Sequence, residues 1–463
     1  MSAPALPGAV DVVVVGAGLA GAAAAVTAAE AGHTVALLEK CETPGGSSVL
    51  SGGGMTFAGT PLQERAGVAD DPELLRADIL AAGEGRNDPE AVEAYIANQV
   101  ETARWLEASG VEWTLHAPPG DPRPRLHSTA RGYLVPFLVR RLRTLDAHAF
   151  HPGTAARRLR TDRTGRVVGI EVEQAASRHT ITVRCGIVLA SGGFGRDTEL
   201  LETFAPSWLD AVPMSGAGST GDGLRMAWAL GAGLRDMARV SASFGASVAR
   251  FPDLSPHPDD RPRLLYPTMA GAIVVNRDGR RFVDESWNYK RISEVCRSQP
   301  DGVGIMVFDQ AVMDRSVAEP LPLNWRSGLE DGTVRGADTL DALAKLLDIA
   351  PEALTATVDA YNHHVAEGAD PDHGRPLAGL APLDRAPYYA FPCGNGLTTT
   401  YCGLRVDSRL RVLTVFGEPI DGLYAAGEIV GGFHGAGYLS GTALGKAVVF
   451  GRAAARDLTR STA

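Results

Sequence analysis

The stretch VDVVVVGAGLAGAAAAVTAAEAGHTVALLEK, residues 10–40, decides the fold. Four consecutive valines, Val12 to Val15, read as a buried strand, and Gly16-Ala17-Gly18-Leu19-Ala20-Gly21 reads as a GxGxxG turn. The alanine-rich run after it reads as a helix closed by Gly32, and TVALLE reads as a second strand ending at Glu39. Val12 to Ala29 carries no charge over eighteen residues, long enough to raise the question of a membrane span. A β-branched run broken by glycines and followed by alanines is instead a strand turning into a helix, so no span is expected. The unit is βαβ. Its glycines let the backbone approach a pyrophosphate, and its helix N-terminus supplies unpaired N–H groups and partial positive charge. An acid at the tip of the second strand suits a ribose hydroxyl. Gly16, Gly18, Ala20, Gly21 and Glu39, with Lys40 beside it, are therefore candidate contacts of a bound dinucleotide.

Working outward, a second glycine cluster follows at Gly45-Gly46-Ser47-Ser48 and Ser51-Gly52-Gly53-Gly54, a loop able to wrap a long cofactor. The chain holds 54 glycines in 463 residues, above the average usage of about 7%. They concentrate at 16–21, 45–54, 192–195, 216–223 and 427–451. Pro72 to Gly110 has a helical pattern, Pro118 to Pro124 breaks regular structure, and a helix is expected from Pro136 to His148. Strands are expected at Val167 to Val172, Thr180 to Val183 and Ile187 to Ala190, the last running into Ser191-Gly192-Gly193. Gly218 to Gly223 opens a helix, Leu224 to Leu230. Alternating strand and helix argues for the α/β class. From about Asp236 to Leu383 prolines multiply and a separate lobe is implied. Gly422 to Glu428 is again strand then glycine, leading to a last helix that ends near Leu458.

With 44 Lys plus Arg against 54 Asp plus Glu, the formal charge of −10 argues against nucleic acid or an anionic membrane as partner. Cys41, Cys185, Cys296, Cys393 and Cys402 are an odd, scattered set without CxxC, which reads as a reducing compartment, the cytoplasm. MSAPALPGAVD shows no secretory pattern. His127, His257 and the His363-His364 pair show no ligand constellation, so no metal is expected. Arg280 and Arg281, next to Asp284 and Glu285, read as a structural charge network.

The blocks VVVVGAGLAGAAAA, LLEK, GGSS, SGG, VLASGGF, TGDGLRMA, VVNRDGRRFVDE and GLYAAGEIVGGFHGAGYLSGTALGKAVVFGRAAA span nearly the whole chain. Together they resemble the FAD-dependent fumarate reductase and 3-ketosteroid dehydrogenase superfamily. The resemblance implies a glutathione-reductase-like (Rossmann) FAD-binding domain built from both ends of the chain, 1–235 and 384–463, with an α+β capping domain inserted at 236–383. It also implies that Gly16, Gly18 and Gly21 cradle the FAD pyrophosphate and Glu39 the adenosine ribose. Gly46, Ser47, Ser48, Gly53 and Gly54 would line the flavin side, Ala156 and Gly192 would border the adenine end, and Asp222 and Glu428 would hold hydroxyl or phosphate-linked groups. Ala443 and Leu444 would present helix N–H groups to the flavin N1 and O2 edge. Some relatives attach FAD through a histidine in the loop occupied here by Ser47 and Ser48; with none there, noncovalent FAD is expected.

Matched to the fumarate reductase motifs, four charge-bearing substrate positions become neutral. The catalytic arginine falls on Tyr289, a substrate arginine on Tyr438, and two histidines on Thr399 and Ser243. A dicarboxylate would lose its bidentate partners and be desolvated beside hydroxyls, which is costly. Tyr438-Leu439-Ser440 together with Tyr289 instead resembles the 3-ketosteroid dehydrogenases, the Δ4 type above all. Tyr438 and Tyr289 would share the tasks of α-proton base and ketone-oxygen donor in either order, with Ser440 as relay or orienting hydroxyl. Thr399, Tyr401 and Ser243 would line the substrate. His434 would either touch the cofactor or support its loop.

The leading expectation is an FAD-dependent dehydrogenase of CH–CH groups that desaturates a neutral cyclic ketone, a 3-ketosteroid or a cyclohexanone-type ring. Two alternatives stand beside it: an enone reductase running the chemistry backwards, and a non-catalytic electron-transfer subunit. The sequence shows no second nicotinamide-binding βαβ, no CxxCH and no iron–sulfur cysteine cluster, so electrons would leave to a quinone, O2 or a redox protein.

Overall fold

The computed structural model describes residues 5–117, 123–145, 148–248, 250–254, 262–318 and 321–460. Most of the proline-rich loop, residues 118–122, and His257 lie outside the described residues. The chain divides into two compact units. The first comprises Met1–Leu209, Ser215–Val240 and Thr399–Ala463; the second comprises Asp210–Met214 and Ser241–Thr398.

The first unit is built on an eight-stranded sheet. Its main path runs Arg411–Leu413, Pro419–Ala425, Ser177–Leu189, Ala9–Val15, Val35–Leu38, His148–His151. Every neighbour on that path is parallel except the first pair. Val12 faces Val35 on one side and Gly186 on the other, and Val15 faces Leu38 and Leu189. Covered on both faces, Val12 to Val14 are wholly buried, which is why the strand reads as an unbroken valine run. Tyr424 lies opposite Val188, so strands from both ends of the chain complete one sheet. The Leu19–Glu30 helix is buried from Leu19 to Ala29 and packs against the last helix, Thr442–Arg460. A Cβ at Gly451 would fall 2.1 Å from the Ala20 carbonyl oxygen, so only glycine permits that crossing.

Several expected elements are corrected. Pro72 to Gly110 forms two helices, Pro72–Ala82 and Pro89–Ala108. The break has a local cause: Glu84 and Gly85 adopt positive φ, Asp88 caps the second helix and Pro89 opens it. Asn87 in this turn donates to the Phe433 carbonyl at 2.8 Å, anchoring the late glycine-rich segment. The helix expected to reach His148 spans Leu134–Arg143, because His148 is recruited opposite Val35 as a strand residue. The strands expected at 180–183 and 187–190 are one continuous strand, Ser177–Leu189, paired along Val167–Gln174. The helix expected at 224–230 is Asp222–Trp228, and the last helix runs to Arg460.

The second unit carries a six-stranded sheet along the path Val212–Pro213, Tyr388–Thr400, Gly304–Asp309, Ile273–Val275, with Val240–Ser247 and Arg335–Ala337 also pairing with the long Tyr388–Thr400 strand. Helices Tyr289–Cys296, Leu340–Leu346 and Pro351–Glu367 accompany it. Residues 384–398 group with this unit, beyond the sequence-derived limit at 383, because Gly304 to Asp309 pair with Cys393 to Tyr388. Arg281 bonds Glu285 and Asp370 at 2.8 and 2.9 Å, and Arg375 lies 3.2 Å from Glu285. These buried groups are structural, since Glu285 also accepts the Val274 amide. No helix among the described residues is long and apolar enough to cross a membrane.

Candidate active site and cofactor cradle

The glycine turn of the first unit is shaped by sterics. Gly16 has φ +100° and a Cβ there would lie 2.5 Å from the Ala190 carbonyl, while a Cβ on Gly21 would lie 1.8 Å from the Gly16 carbonyl. The buried Glu39 carboxylate folds back on this turn, accepting the Ala17 and Cys41 amides at 2.8 and 2.9 Å. Lys40 Nζ lies 2.6 Å from Asp222 Oδ2 and also donates to Thr220, so two candidate cofactor residues hold each other. Ala156 is buried in the Thr154–Thr161 strand, which starts beside Glu39 through the Thr154 amide.

The second glycine cluster closes onto the same region. The Leu19 amide, in the first turn of its helix, donates to Ser48 Oγ at 3.1 Å, and Ser47 Oγ accepts the Gly216 amide at 2.9 Å. Gly46, Gly53 and Gly192 all have positive φ, and Gly54 leads a short strand, Gly54–Thr56. Leu19, Ser48, Gly53 and Leu444 line one cavity with Thr129 and Ala130, so the starts of the first and last helices open on the same space. Ala443 and Leu444 belong to the first turn of the last helix. Ser191 Oγ, beside the Gly192 turn, is buried with no hydrogen-bond partner among the described residues. Two helix N-termini, glycines that leave no room for Cβ atoms and an orphaned hydroxyl fit the pyrophosphate and hydroxyls of FAD.

Glu428 is half-buried, and its Oε1 accepts the Thr400 amide at 2.9 Å; desolvation pushes its carboxyl upward. Lys446, which sequence reading missed, is buried on the last helix and donates to the Val430 carbonyl at 3.1 Å. Burial brings its ammonium down to about 8, against the pull of Glu428. A lysine inside a helix pattern carries no sign of such burial.

The substrate candidates divide between the units. In the first, Tyr438 Oη accepts the Gly441 amide at 3.2 Å, just before the last helix. Burial raises this phenol, and the Gly441 and Ala443 amides act in the opposite sense. Its ring lies parallel to Tyr401, 6.0 Å between centroids, and His434 sits 4.4 Å from Tyr401 and 5.5 Å from Tyr438. The buried Ser440 accepts Thr56 Oγ1 on its carbonyl at 2.5 Å, and Thr399, half-buried, is the penultimate residue of the long strand, beside Glu428. In the second unit Tyr289 starts its helix and stacks on Tyr266 at 5.0 Å. Ser243 is buried and accepts Lys290 Nζ at 2.9 Å, while Thr398 accepts the same ammonium at 3.0 Å. A cation thus adjoins a position that had looked only neutral, and burial draws it down to about 7.

The histidines also hold a correction. His364 comes together with Asp370 and Asp372, and His33 with Asp11 and Cys185, although the sequence showed no ligand cluster. Asp370 and Asp11 are already engaged by Arg281 and Arg184. His127 is buried between Thr60 and the Arg125 carbonyl, a structural role.

A glycine-lined cradle on a parallel sheet, fitted to FAD, together with a set of buried hydroxyls defines a flavin-dependent oxidoreductase. The chain belongs to the FAD binding domain family, whose model matches residues 11–444, and to the fumarate reductase and 3-ketosteroid dehydrogenase superfamily within it. FAD is its cofactor, and it acts as an oxidoreductase on carbon–carbon bonds. The urocanate reductase of Eggerthella lenta and a fumarate reductase of Shewanella frigidimarina are each 32% identical, over 96% and 97% of this chain and 74% and 77% of theirs. The 4-oxocyclohexanecarboxylate 2-dehydrogenase of Sinomonas cyclohexanicum is 28% identical over 90% of this chain and 87% of its own. The structure of 3-ketosteroid-Δ4-(5α)-dehydrogenase from Rhodococcus jostii RHA1 superposes with a TM-score of 0.77 at 29% identity, covering 97% of both chains.

Proposed function

We propose that the protein desaturates a cyclic ketone between the carbons α and β to its carbonyl. The observation that carries this reading is the seat of the Tyr438 hydroxyl against the Gly441 and Ala443 amides at the head of the last helix. Burial raises this phenol and the two amides offset part of that rise, and in this reading Tyr438 takes the α-proton while Tyr289 donates to the ketone oxygen. Held noncovalently by the Gly16–Gly21 turn and the Ser47–Ser48 loop, FAD would supply the acceptor for the hydride of the β-carbon. As the α-proton goes to tyrosine and the β C–H pair departs, the carbon–carbon double bond forms, and a quinone, O2 or redox protein finally takes the two electrons. Ser440 orients, and Thr399, Tyr401 and Ser243 line the ring. Hydroxyls at 289, 438, 399 and 243 supply no bidentate grip for a dicarboxylate. Two relatives whose names describe ketone-bearing rings, the Sinomonas and Rhodococcus enzymes, support the substrate class.

The test is direct. Adding saturated 3-ketosteroids and substituted cyclohexanones to the FAD-loaded enzyme with an artificial acceptor should bleach the flavin and reduce the acceptor. No bleaching with any cyclic ketone overturns the reading. The urocanate and fumarate reductases at 32% identity favour a second reading, enone reduction with electrons from a partner, in which a tyrosine is the acid. Comparing enone reduction by dithionite-reduced enzyme with ketone oxidation in the same preparation separates the two directions.

A further inference from the structure

Thr56 is a residue to which neither the sequence nor the proposed reaction gives a task, yet it sits wholly buried at the end of the short Gly54–Thr56 strand of the first unit. All of its polar groups are engaged. The Thr56 amide donates to the Gly441 carbonyl at 3.3 Å, its Oγ1 hydroxyl donates to the Ser440 carbonyl at 2.5 Å, and its carbonyl accepts the Tyr95 hydroxyl. The Thr56 hydroxyl therefore bonds the oxygen of the same peptide whose N–H, that of Gly441, donates to Tyr438 Oη at 3.2 Å. This approach demands glycine: Gly441 has φ +83°, and a Cβ there would fall 2.6 Å from Thr56 Oγ1. Tyr95, also wholly buried, holds Thr56 from the other side, and burial raises its phenol so that it stays a donor.

We propose that Thr56 is a positioning residue for Tyr438, its hydroxyl acting through the Ser440–Gly441 peptide to hold, and to strengthen as a donor, the N–H that the phenol oxygen accepts. The inference deepens the proposed desaturation and rests on its choice of Tyr438 as the base. A peptide unit is planar, so fixing its carbonyl end fixes the direction of its N–H. A donor on the carbonyl oxygen also draws electron density from the nitrogen, and hydrogen bonds linked in a chain reinforce one another by about 10–30% each in a low-dielectric interior. A stronger donor on a phenol oxygen favours the phenolate, which is the sense in which the Gly441 amide already works against burial. Titratable groups packed around Tyr438 are the Tyr401 and Tyr95 phenols and the His434 imidazole. Tyr95 bonds the backbone carbonyl of residue 56, which any substitution there retains, so removing the Thr56 hydroxyl isolates its effect on Tyr438.

The experiment uses the FAD-loaded enzyme carrying 3-fluorotyrosine, whose ring fluorine makes each phenol more acidic and reports its ionisation by fluorine NMR. The Tyr438 signal is the one lost in Tyr438→Phe. Thr56→Val keeps the shape and backbone of residue 56 and removes its hydroxyl, and its Tyr438 midpoint is expected about half a pH unit above that of wild type, roughly a threefold change in the ionisation constant. Thr56→Ser, which keeps a hydroxyl, should stay within about 0.2 unit of wild type. A midpoint in Thr56→Val equal to or below that of wild type overturns the proposal, as does an equal shift in Thr56→Ser or a Tyr438 signal that does not titrate in either protein while the fold persists. Should Thr56→Val fail to fold, Thr56→Ala set against Thr56→Ser carries the same comparison. A turnover arm keeps the two readings apart: the rising limb of kcat/KM against pH for a substituted cyclohexanone should move with the phenol midpoint. A midpoint that depends on the Thr56 hydroxyl without turnover of any cyclic ketone defeats desaturation and leaves the role of Thr56. Turnover with an unmoved midpoint in Thr56→Val defeats that role and leaves desaturation.

Discussion

The Tyr438 hydroxyl accepts the Gly441 amide at 3.2 Å, so a phenol proposed to remove a proton rests on the backbone that starts the helix carrying Ala443 and Leu444. Desolvation disfavours the phenolate there, and the amides of Gly441 and Ala443 offset part of that cost. Tyr438→Phe removes the proton acceptor while keeping the ring that stacks on Tyr401. FAD should stay bound, and ketone oxidation should fall about 10²- to 10⁴-fold, the usual worth of a positioned general base. Steady-state turnover beside a flavin absorbance spectrum checks both halves; unchanged turnover removes Tyr438 from the mechanism.

Much of this architecture is legible in residues 10–40, because a four-valine strand, a GxGxxG turn and an alanine helix each obey local rules. What remains hidden is long-range. Nothing local to Pro419–Ala425 shows that it lies beside Ser177–Leu189, and nothing near Ser243 announces an ammonium from a residue 47 positions away. Lys446 is hidden for a related reason: the helical period places it, but only packing against Val430 and Phe433 reveals that its head is buried. The break between Ala82 and Pro89 was present as Gly83, Gly85 and Pro89, yet a continuous apolar period outweighed it. Lys40 and Asp222 are each legible in the sequence as candidate cofactor contacts, but only the fold shows that they pair.

That pair leads to a second prediction. Lys40 and Asp222 are each about a third exposed, so their 2.6 Å contact is worth only about 0.2–1 kcal/mol of stability. If its task is to set the cofactor edge, Asp222→Asn should shift the melting temperature of the FAD-free protein little while raising the FAD dissociation constant about three- to tenfold. Fluorescence recovery on FAD titration measures the second quantity. A large melting shift with unchanged FAD affinity would mark the pair as purely structural.

Asp11 ties the first strand to the turn before the second and to the neighbouring strand. Burial works to raise its carboxyl, but the Thr34 amide and hydroxyl and the Arg184 guanidinium outweigh it and hold the group at about 2. A carboxyl depressed in the folded state contributes stability above its unfolded value near 3.8, and that contribution is lost as pH falls toward 2. With Arg184 largely in solvent, screening reduces the effect to about 1 kcal/mol. Asp11→Asn should therefore be less stable by about that amount at pH 7, with the gap closing between about pH 4 and 2. Urea unfolding of both proteins across that range reads the difference.

The last prediction sets two glycines of the cofactor cradle against each other. Gly46 has φ +51° and open space around its Cβ direction, so Gly46→Ala pays only the cost of a left-handed backbone, about 1–2 kcal/mol. Gly216 has no such torsional demand, yet a Cβ on it would fall 2.5 Å from the Gly46 carbonyl carbon and 2.6 Å from the Ser47 amide nitrogen. Both neighbours are backbone and cannot rotate away, so the loop itself must move. That displacement breaks the 2.9 Å bond from the Gly216 amide to Ser47 Oγ and pulls Ser48 from the start of the first helix. Gly216→Ala should consequently cost more FAD affinity than Gly46→Ala, about tenfold or greater, although only Gly46 sits in a region that side chains avoid. Parallel FAD titrations of the two variants decide it, and the reverse ranking would mean that the Gly216 contact does not position the loop that holds the cofactor.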